Sequence, residues 1–185
     1  MTTDDELKIK GALKMLHDND CYLLMNNCTE RAIAFKLAMY LQIQFKEYDV
    51  DCEYNLNINS DTKRKVIYCI EVEYLKFKNA PKRKNFINIE GNEYLEVSIF
   101  PDIIIHKRSL NDRNHIIFEI KKSCNLTESD YDRYKLIKYT EDSSEFKYGT
   151  GIFLTVFVGS YYKREVEIEE YKNGERIRNL TIAST

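Results

Sequence analysis

The chain has 185 residues, of which 43% are hydrophobic and 31% charged, a composition typical of a globular domain and unlike that of a disordered chain. Lysine and arginine number 28 against 30 acidic residues, and the net charge of −2 excludes a uniformly basic nucleic-acid-binding protein. No apolar run approaches the ~18 residues of a membrane span, and the acidic start argues against a signal peptide. Five cysteines without a C-x-x-C pair argue against a disulfide framework and a zinc site. We therefore expect a single cytoplasmic domain over residues 1–185, without a membrane partner.

Two helices and a strand are predicted in the first third of the chain. Residues 4–17 carry leucines in a charged segment, and residues 28–46 have apolar side chains at helical spacing, which predicts one buried face. The aromatic and β-branched residues of 48–56 favour a strand. Residues 57–97 form an insertion, in which 66–77 fits a strand or a helix because its apolar residues also recur at helical spacing.

The later elements are better defined. Apolar segments 99–108 and 115–122 flank a polar loop, which predicts a hairpin. Thr127 is the predicted N-cap of the next helix, and the continuous apolar run 151–158 is typical of a strand covered on both faces. Asn-Gly at positions 173–174 predicts a type I′ turn in a C-terminal hairpin. This order of elements predicts an α/β or α+β fold whose central mixed sheet is flanked by helices.

The predicted hairpin brings two carboxylates and a lysine together. Side chains alternate along a strand, so Glu119 and Lys121 share one face. A hairpin centred on residues 109–114 places Asp102 opposite either Glu119 or Lys121, and both registers leave the three side chains on the same face. Apolar side chains fill the opposite face: Ile103, Ile105, Phe118 and Ile120. We expect the trio at the end of a buried pair of strands.

Such a trio predicts metal-dependent hydrolysis. Neighbouring carboxylates repel each other unless a cation offsets their charge, and Mg²⁺ or Mn²⁺ suits hard oxygen ligands. Lys121 can then position an attacking water or stabilise the charge on a phosphate. The alternative is a salt bridge of Lys121 with Asp102 or Glu119. The pattern [D/E]-x-K occurs five times and is weak alone, but only the copy that begins at Glu119 lies in an apolar strand.

Glu30 is a further candidate for the same site. It precedes Ala34 by four residues and therefore lies on the helix stripe that faces the sheet. With Asn27 as N-cap, Glu30 would instead complete a capping box, and the two roles are compatible.

These motifs resemble those of the PD-(D/E)xK nuclease superfamily, which has the restriction-endonuclease-like fold. The resemblance is carried by Pro101-Asp102, the hairpin and Glu119-Ile120-Lys121. A helix opening at Thr29-Glu30-Arg31 and the order of the later elements are similar to those of archaeal Holliday-junction resolvases and of small bacterial restriction-endonuclease-like proteins. The resemblance implies an αβββαβ core over about residues 28–158.

The implied activity is endonucleolytic cleavage of DNA that depends on Mg²⁺ or Mn²⁺ and yields a 5′-phosphate and a 3′-hydroxyl. Asp102, Glu119 and the carbonyl of Ile120 would bind the metal. Glu30 would complete the metal shell or belong to a second metal site, and Lys121 would position the attacking water. An inactive nuclease-fold module that binds nucleic acid or protein, and an RNA endonuclease, are the alternatives. A homodimer and a recruiting protein partner are also expected forms of assembly.

Two parts of the chain depart from that simple core: the insertion at about 57–97 and the hairpin at about 163–183. Residues 61–84 carry eight basic and three acidic side chains, a net charge of +5 that leaves −7 for the rest of the chain. Phosphate contacts are predicted for five cations: Lys82, Arg83 and Lys84 in the insertion, and Arg133 and Lys135 on the helix after the hairpin. The alternative is that these residues belong to a solvated loop and a solvated helix face.

Overall fold

A computed structural model describes residues 1–57, 64–77, 85–126 and 129–184. The helices are α1 (Thr3–Asn19), α2 (Cys21–Met25), α3 (Glu30–Gln44), α4 (Glu71–Tyr74) and α5 (Asp130–Thr140). The strands are β1 (Asp49–Cys52), β2 (Val66–Cys69), β3 (Asn85–Ile89), β4 (Asn92–Ser98), β5 (Ile103–His106), β6 (Ile116–Lys122), β7 (Thr150–Val156), β8 (Glu165–Lys172) and β9 (Glu175–Ala183). The predicted α/β class with a central mixed sheet is confirmed.

The central sheet has six strands in the order β1-β5-β6-β7-β8-β9. All neighbours are antiparallel except β6 and β7, which run parallel. A parallel pair needs a crossover connection, and α5 supplies it by returning the chain from the end of β6 to the start of β7. Strands β5 and β7 are buried along their whole length. For β7, this burial was predicted from the continuous apolar run at 151–158.

Two apolar layers cover the central sheet. On one face, α1 and α3 pack against the side chains predicted for the apolar side of the hairpin, among them Ile103 and Phe118. On the other face, α5 and the small sheet β2-β4-β3 pack against Ile104, Ile117 and Phe153. Because side chains alternate along β6, the face that carries Glu119 and Lys121 is the face covered by α5.

The start of α3 differs from the predicted capping box. Thr29 is the N-cap, and its hydroxyl accepts a hydrogen bond from the NH of Ala32 at 3.3 Å. Asn27 has a φ of 51°, a left-handed conformation outside the helix, so the prediction of Asn27 as N-cap is wrong. Glu30 is the first residue of α3, and its carboxylate points to other partners.

The start of α5 also differs from the prediction of Thr127 as its N-cap. The helix begins at Asp130 with Ser129 in the N-cap position, whereas Thr127 lies outside the described residues. The ambiguous segment 66–77 contains both alternatives in turn, because β2 is followed directly by the single helical turn α4.

The insertion is only partly described. Lys82, Arg83 and Lys84 lie outside the described residues, so their predicted phosphate contacts stay predictions. Within the parts of the chain that the structure does describe, no helix is long and apolar enough to cross a membrane.

Candidate functional site

The hairpin of β5 and β6 aligns the predicted trio in one of its two expected registers. Ile103 pairs with Phe118, so Asp102, one residue earlier, lies opposite Glu119. The carboxylate Oδ2 of Asp102 accepts a hydrogen bond from the NH of Ile120 at 2.6 Å. Asp102 thereby satisfies a backbone NH of β6 at the point just before β5 begins.

Five side chains form a continuous chain of ion pairs across this end of the sheet: Glu119, Lys135, Asp132, Lys121 and Glu30. Lys135 Nζ lies 2.6 Å from Glu119 Oε2 and 2.8 Å from Asp132 Oδ1. Lys121 Nζ lies 2.8 Å from Asp132 Oδ2 and 3.7 Å from Glu30 Oε2. We call these five residues the ion-pair chain. With Asp102 beside it, the cluster holds four carboxylates and two ammonium groups.

Helix α5 contributes one side of the ion-pair chain. Asp132, Lys135 and Tyr139 recur at i, i+3 and i+7 and therefore share a helix face. The helix lies very close to β7, because a Cβ at Gly151 would come within 3.1 Å of Thr140 Cγ2 and 3.3 Å of Leu136 Cδ2. The absence of a side chain at Gly151 lets α5 bring its charged residues onto Glu119.

Glu30 reaches the same place from the opposite layer. Its Oε1 accepts hydrogen bonds from the NH of Lys122 and from Asn125 Nδ2, both at 3.2 Å. Glu30 lies at the N-terminus of α3, next to the C-terminal end of β6. Its carboxylate therefore reaches Lys121 past the end of that strand. A charge-assisted bond to the strand backbone fixes this carboxylate more firmly than an exposed ion pair does.

The ion-pair chain has an inner and an outer end. Glu119 is 2% exposed and Lys135 8%, whereas the side chains of Lys121 and Glu30 retain 20% and 26% of their surface. Lys121 and Glu30 therefore face solvent, and Glu119 and Lys135 lie behind them.

Burial raises the pKa of two of the carboxylates, Asp102 and Glu119. It raises the pKa of Asp102 to about 6, although the NH of Ile120 and the charge of Lys135 act in the opposite direction. Burial also raises the pKa of Glu119, where Lys135 opposes the shift. For Lys121 and Lys135 burial disfavours the charged form, but the carboxylates beside them outweigh it and raise both pKa values. Both lysines are thus cationic at neutral pH.

The predicted alternative, a salt bridge of Lys121 with Asp102 or Glu119, is wrong. Among the ion pairs of the described residues, Lys121 contacts Asp132 and Glu30, and Glu119 contacts Lys135. Strand alternation correctly separates Lys121 from its neighbour, because Lys122 Nζ turns away and donates to the carbonyl of Cys28 at 3.3 Å.

Asp132 is the member of the cluster that the sequence analysis missed. Its signal was available: a carboxylate on the stripe of α5 that also carries the buried residues Leu136 and Tyr139. A charged residue on a buried stripe needs a partner of opposite charge, so its position alone indicates a buried ion pair.

Arg133 and Lys135 have carboxylate partners inside the protein. Arg133 NH2 lies 2.6 Å from Glu169 Oε1, and its guanidinium stacks 4.3 Å above the ring of Phe153. The alternative of a solvated helix face is wrong for Lys135, which is buried. Their contacts with phosphate stay predictions.

The donor chemistry of the cluster fits a hard divalent cation. Its formal charge of −2 comes from four carboxylates and two lysines, and carboxylate oxygens are preferred ligands of Mg²⁺ and Mn²⁺. Within the described residues, however, no group of three or more Asp, Glu, His or Cys side chains is already arranged as a metal centre. The two ammonium groups stand between the carboxylates that would have to converge.

The chain was compared with family models, with curated proteins and with solved structures, and none of the three comparisons found a match. The function must therefore be argued from the cluster itself.

Proposed function

We propose that this protein is a metal-dependent endonuclease that hydrolyses phosphodiester bonds in DNA. The observation that carries the proposal is the convergence of Asp102, Glu119 and Lys121 at the end of two buried strands, with Glu30 joining them from α3. Asp102 and Glu119, with the carbonyl of Ile120 and the carboxylate of Glu30, are the proposed ligands of Mg²⁺ or Mn²⁺.

The order of elements supports the proposal. Counted from α3, the chain runs α3, β1, β5, β6, α5, β7, the αβββαβ order of the restriction-endonuclease-like core. The small sheet is inserted between β1 and β5, and the hairpin β8–β9 extends the sheet beyond β7. In this order the proposed ligands fall at the ends of β5 and β6, where the PD-(D/E)xK motif has them.

The chain's own residues supply charge and position. A protonated Lys121 cannot accept a proton, so its role is to orient the attacking water and to stabilise negative charge on the phosphate. Asp132 Oδ2 lies 2.8 Å from Lys121 Nζ and holds this ammonium group in place. The divalent cation, when bound, supplies Lewis acidity toward the phosphate.

The ion pairs also favour a second candidate, a nuclease-fold module without catalytic activity. In that case Lys121 and Lys135 balance the carboxylates permanently, and the surface serves to bind nucleic acid or a protein partner. The two candidates differ in metal binding, because a cation that binds only the folded protein raises its melting temperature.

The proposal is tested with plasmid, single-stranded DNA, branched DNA and RNA, each incubated with Mg²⁺, with Mn²⁺ and with EDTA. We expect DNA cleavage that requires the metal and is lost in Asp102→Asn. Asp142→Asn, at an exposed position, is the matched control and should cleave normally. Cleavage of RNA alone would replace the proposed substrate. No cleavage of any substrate, together with no thermal shift in Mg²⁺ or Mn²⁺, would leave the inactive module.

A further inference from the structure

We infer that Lys135 is the internal counter-ion of the proposed metal site: its ammonium group holds Glu119 in the metal-free protein and must leave Glu119 before a divalent cation binds there. The inference rests on the proposed function, since it concerns the same carboxylates. It assigns a role to a residue for which the sequence predicted only a phosphate contact.

The burial of Glu119 requires such a cation. A carboxylate almost entirely removed from water costs several kcal/mol unless a charged partner compensates it. Besides Lys135, the hydroxyl of Tyr139 lies 3.5 Å from Glu119 Oε1, too long for a strong hydrogen bond. Lys135 Nζ at 2.6 Å is the close cation, and it is itself buried.

Asp132 makes the exchange feasible. Lys135 Nζ already contacts Asp132 Oδ1 at 2.8 Å, and the two residues lie one turn apart on α5. When Lys135 leaves Glu119, this second carboxylate keeps the ammonium group paired, so the exchange exposes no unpaired buried charge.

The two lysines of the cluster therefore differ in role. Lys121 contacts Asp132 and Glu30 at the outer end, whereas Lys135 contacts Glu119 at the inner end. Of these two lysines, only Lys135 forms its ion pair with a proposed metal ligand that is buried, namely Glu119. Its ammonium group and a divalent cation would compete for the same carboxylate, that of Glu119.

The test compares wild type, Lys135→Met and Lys138→Met in titrations with MnCl₂ followed by calorimetry. Methionine keeps an unbranched side chain only one atom shorter than that of lysine and removes its charge. Lys138 is the matched control, because it lies on the same helix and pairs with Glu141 at 2.8 Å, outside the cluster. We expect Lys135→Met to bind Mn²⁺ about tenfold more tightly than wild type, within the range usual for coupled binding events, and Lys138→Met to match wild type.

A second measurement is the urea stability of the same proteins in EDTA. Lys135→Met should be less stable than wild type without metal and should regain stability in Mn²⁺. If it does not fold in EDTA, the double variant Lys135→Met/Asp132→Asn, which removes one charge of each sign, replaces it.

The outcomes separate the two proposals. Mn²⁺ binding by wild type that is unchanged or weaker in Lys135→Met would overturn the counter-ion role and leave the nuclease proposal intact. Binding by Lys135→Met alone would support the counter-ion role and overturn metal-dependent catalysis by the natural protein. Absence of binding by either protein would overturn both.

Discussion

At the scale of single residues, the carboxylates of the cluster differ in how far neighbouring groups offset the free-energy cost of their burial. Asp102 is largely enclosed and has the NH of Ile120 as its close hydrogen-bond donor, whereas Asp132 touches two ammonium groups. The physical consequence is opposite in sign: burial raises the pKa of Asp102 to about 6, and the lysines lower the pKa of Asp132 against the effect of its burial. Asp102, like Glu119, is thus a carboxylate whose charged form the metal-free protein holds at a cost.

This cost gives a pH dependence to the stability of the metal-free protein. The folded pKa of Asp102 lies above its unfolded value of about 3.9, so the native state binds more protons between these values and stability falls as pH rises from about 4 to 6. Asp102→Asn should remove that fall. In EDTA at pH 7 the variant should be more stable than wild type by up to about 3 kcal/mol, and at pH 4 the two should be equal.

Urea unfolding between pH 4 and 7.5 measures the effect, with Asp142→Asn as the control that should follow wild type at every pH. A variant Asp102→Asn that is less stable than wild type at pH 7 would mean that the Asp102 carboxylate stabilises the fold. The proposed metal site would then lose its main support.

Lys121 allows a second prediction at this scale. Lys121→Met should lower kcat on DNA by about 10²–10³-fold, the loss typical when one charge-stabilising donor is removed. Mn²⁺ affinity should change little, because Lys121 is not a proposed ligand and its contact with Glu30 is long, at 3.7 Å, and partly exposed. Lys122→Met is the matched control: it removes the same charge one residue later, from a side chain that points to Cys28. A loss of activity in the control instead would show that the wrong lysine was assigned.

Sequence reasoning assigned four members of the cluster to the site, Asp102, Glu119, Lys121 and Glu30, gave Lys135 a different role and missed Asp132. Strand alternation is strict, so a single hairpin sufficed to place Asp102, Glu119 and Lys121 on one face. Asp132 lies on a helix whose position over the sheet depends on the close approach at Gly151, and no local pattern reports that distance.

At the scale of elements, the turns show which parts of the fold can be predicted from the local sequence. Asn173-Gly174 has φ values of 52° and 77°, the type I′ conformation that Asn-Gly favours, and the hairpin β8–β9 was predicted from it. Glu90-Gly91 adopts the same conformation between β3 and β4, with φ values of 51° and 85°. Glutamate rarely has a positive φ, so no comparable local signal predicted the hairpin β3–β4.

The same two turns provide a matched pair of substitutions. Gly174→Ala should destabilise the protein by roughly 1–2 kcal/mol, because alanine is strained at positive φ. An added Cβ would also lie 2.9 Å from Glu141 Cγ at the end of α5. At Gly91 the backbone strain is the same, but nothing lies within 4 Å of an added Cβ. Thermal or urea unfolding should therefore find Gly174→Ala less stable than Gly91→Ala, and equal stability of the two variants would mean that Glu141 moves aside without cost.

At the scale of the whole molecule, the site exists only because distant parts of the chain meet. Glu30 Oε1 and the NH of Lys122 are joined across 92 positions of sequence, and α3, β6 and α5 belong to three different layers. Local sequence patterns predicted each of these elements and the central sheet, but not how their ends converge. The insertion resisted prediction for a different reason: its strands and its single helical turn are too short for their periods to be told apart.

Charge is also distributed at this scale, since residues 61–84 are basic in a chain that is acidic overall. If this segment contacts the phosphates of DNA, each contact contributes affinity without sequence preference and adds nearly one unit to the salt dependence of binding. The triple variant with Lys82, Arg83 and Lys84 changed to Ala should therefore weaken binding by a similar factor for every DNA sequence. The slope of log affinity against log salt should fall by up to ~3 units.

The control for this last prediction is a triple variant with the same loss of charge elsewhere: Lys10, Lys14 and Lys36 changed to Ala. These three lysines already pair with carboxylates, those of Glu6, Asp18 and Asp20. Filter binding to short duplexes of two sequences, at 50 to 200 mM salt in EDTA, separates affinity from cleavage. Equal slopes in both triple variants would assign the effect to total charge, and the basic segment would then be a solvated loop.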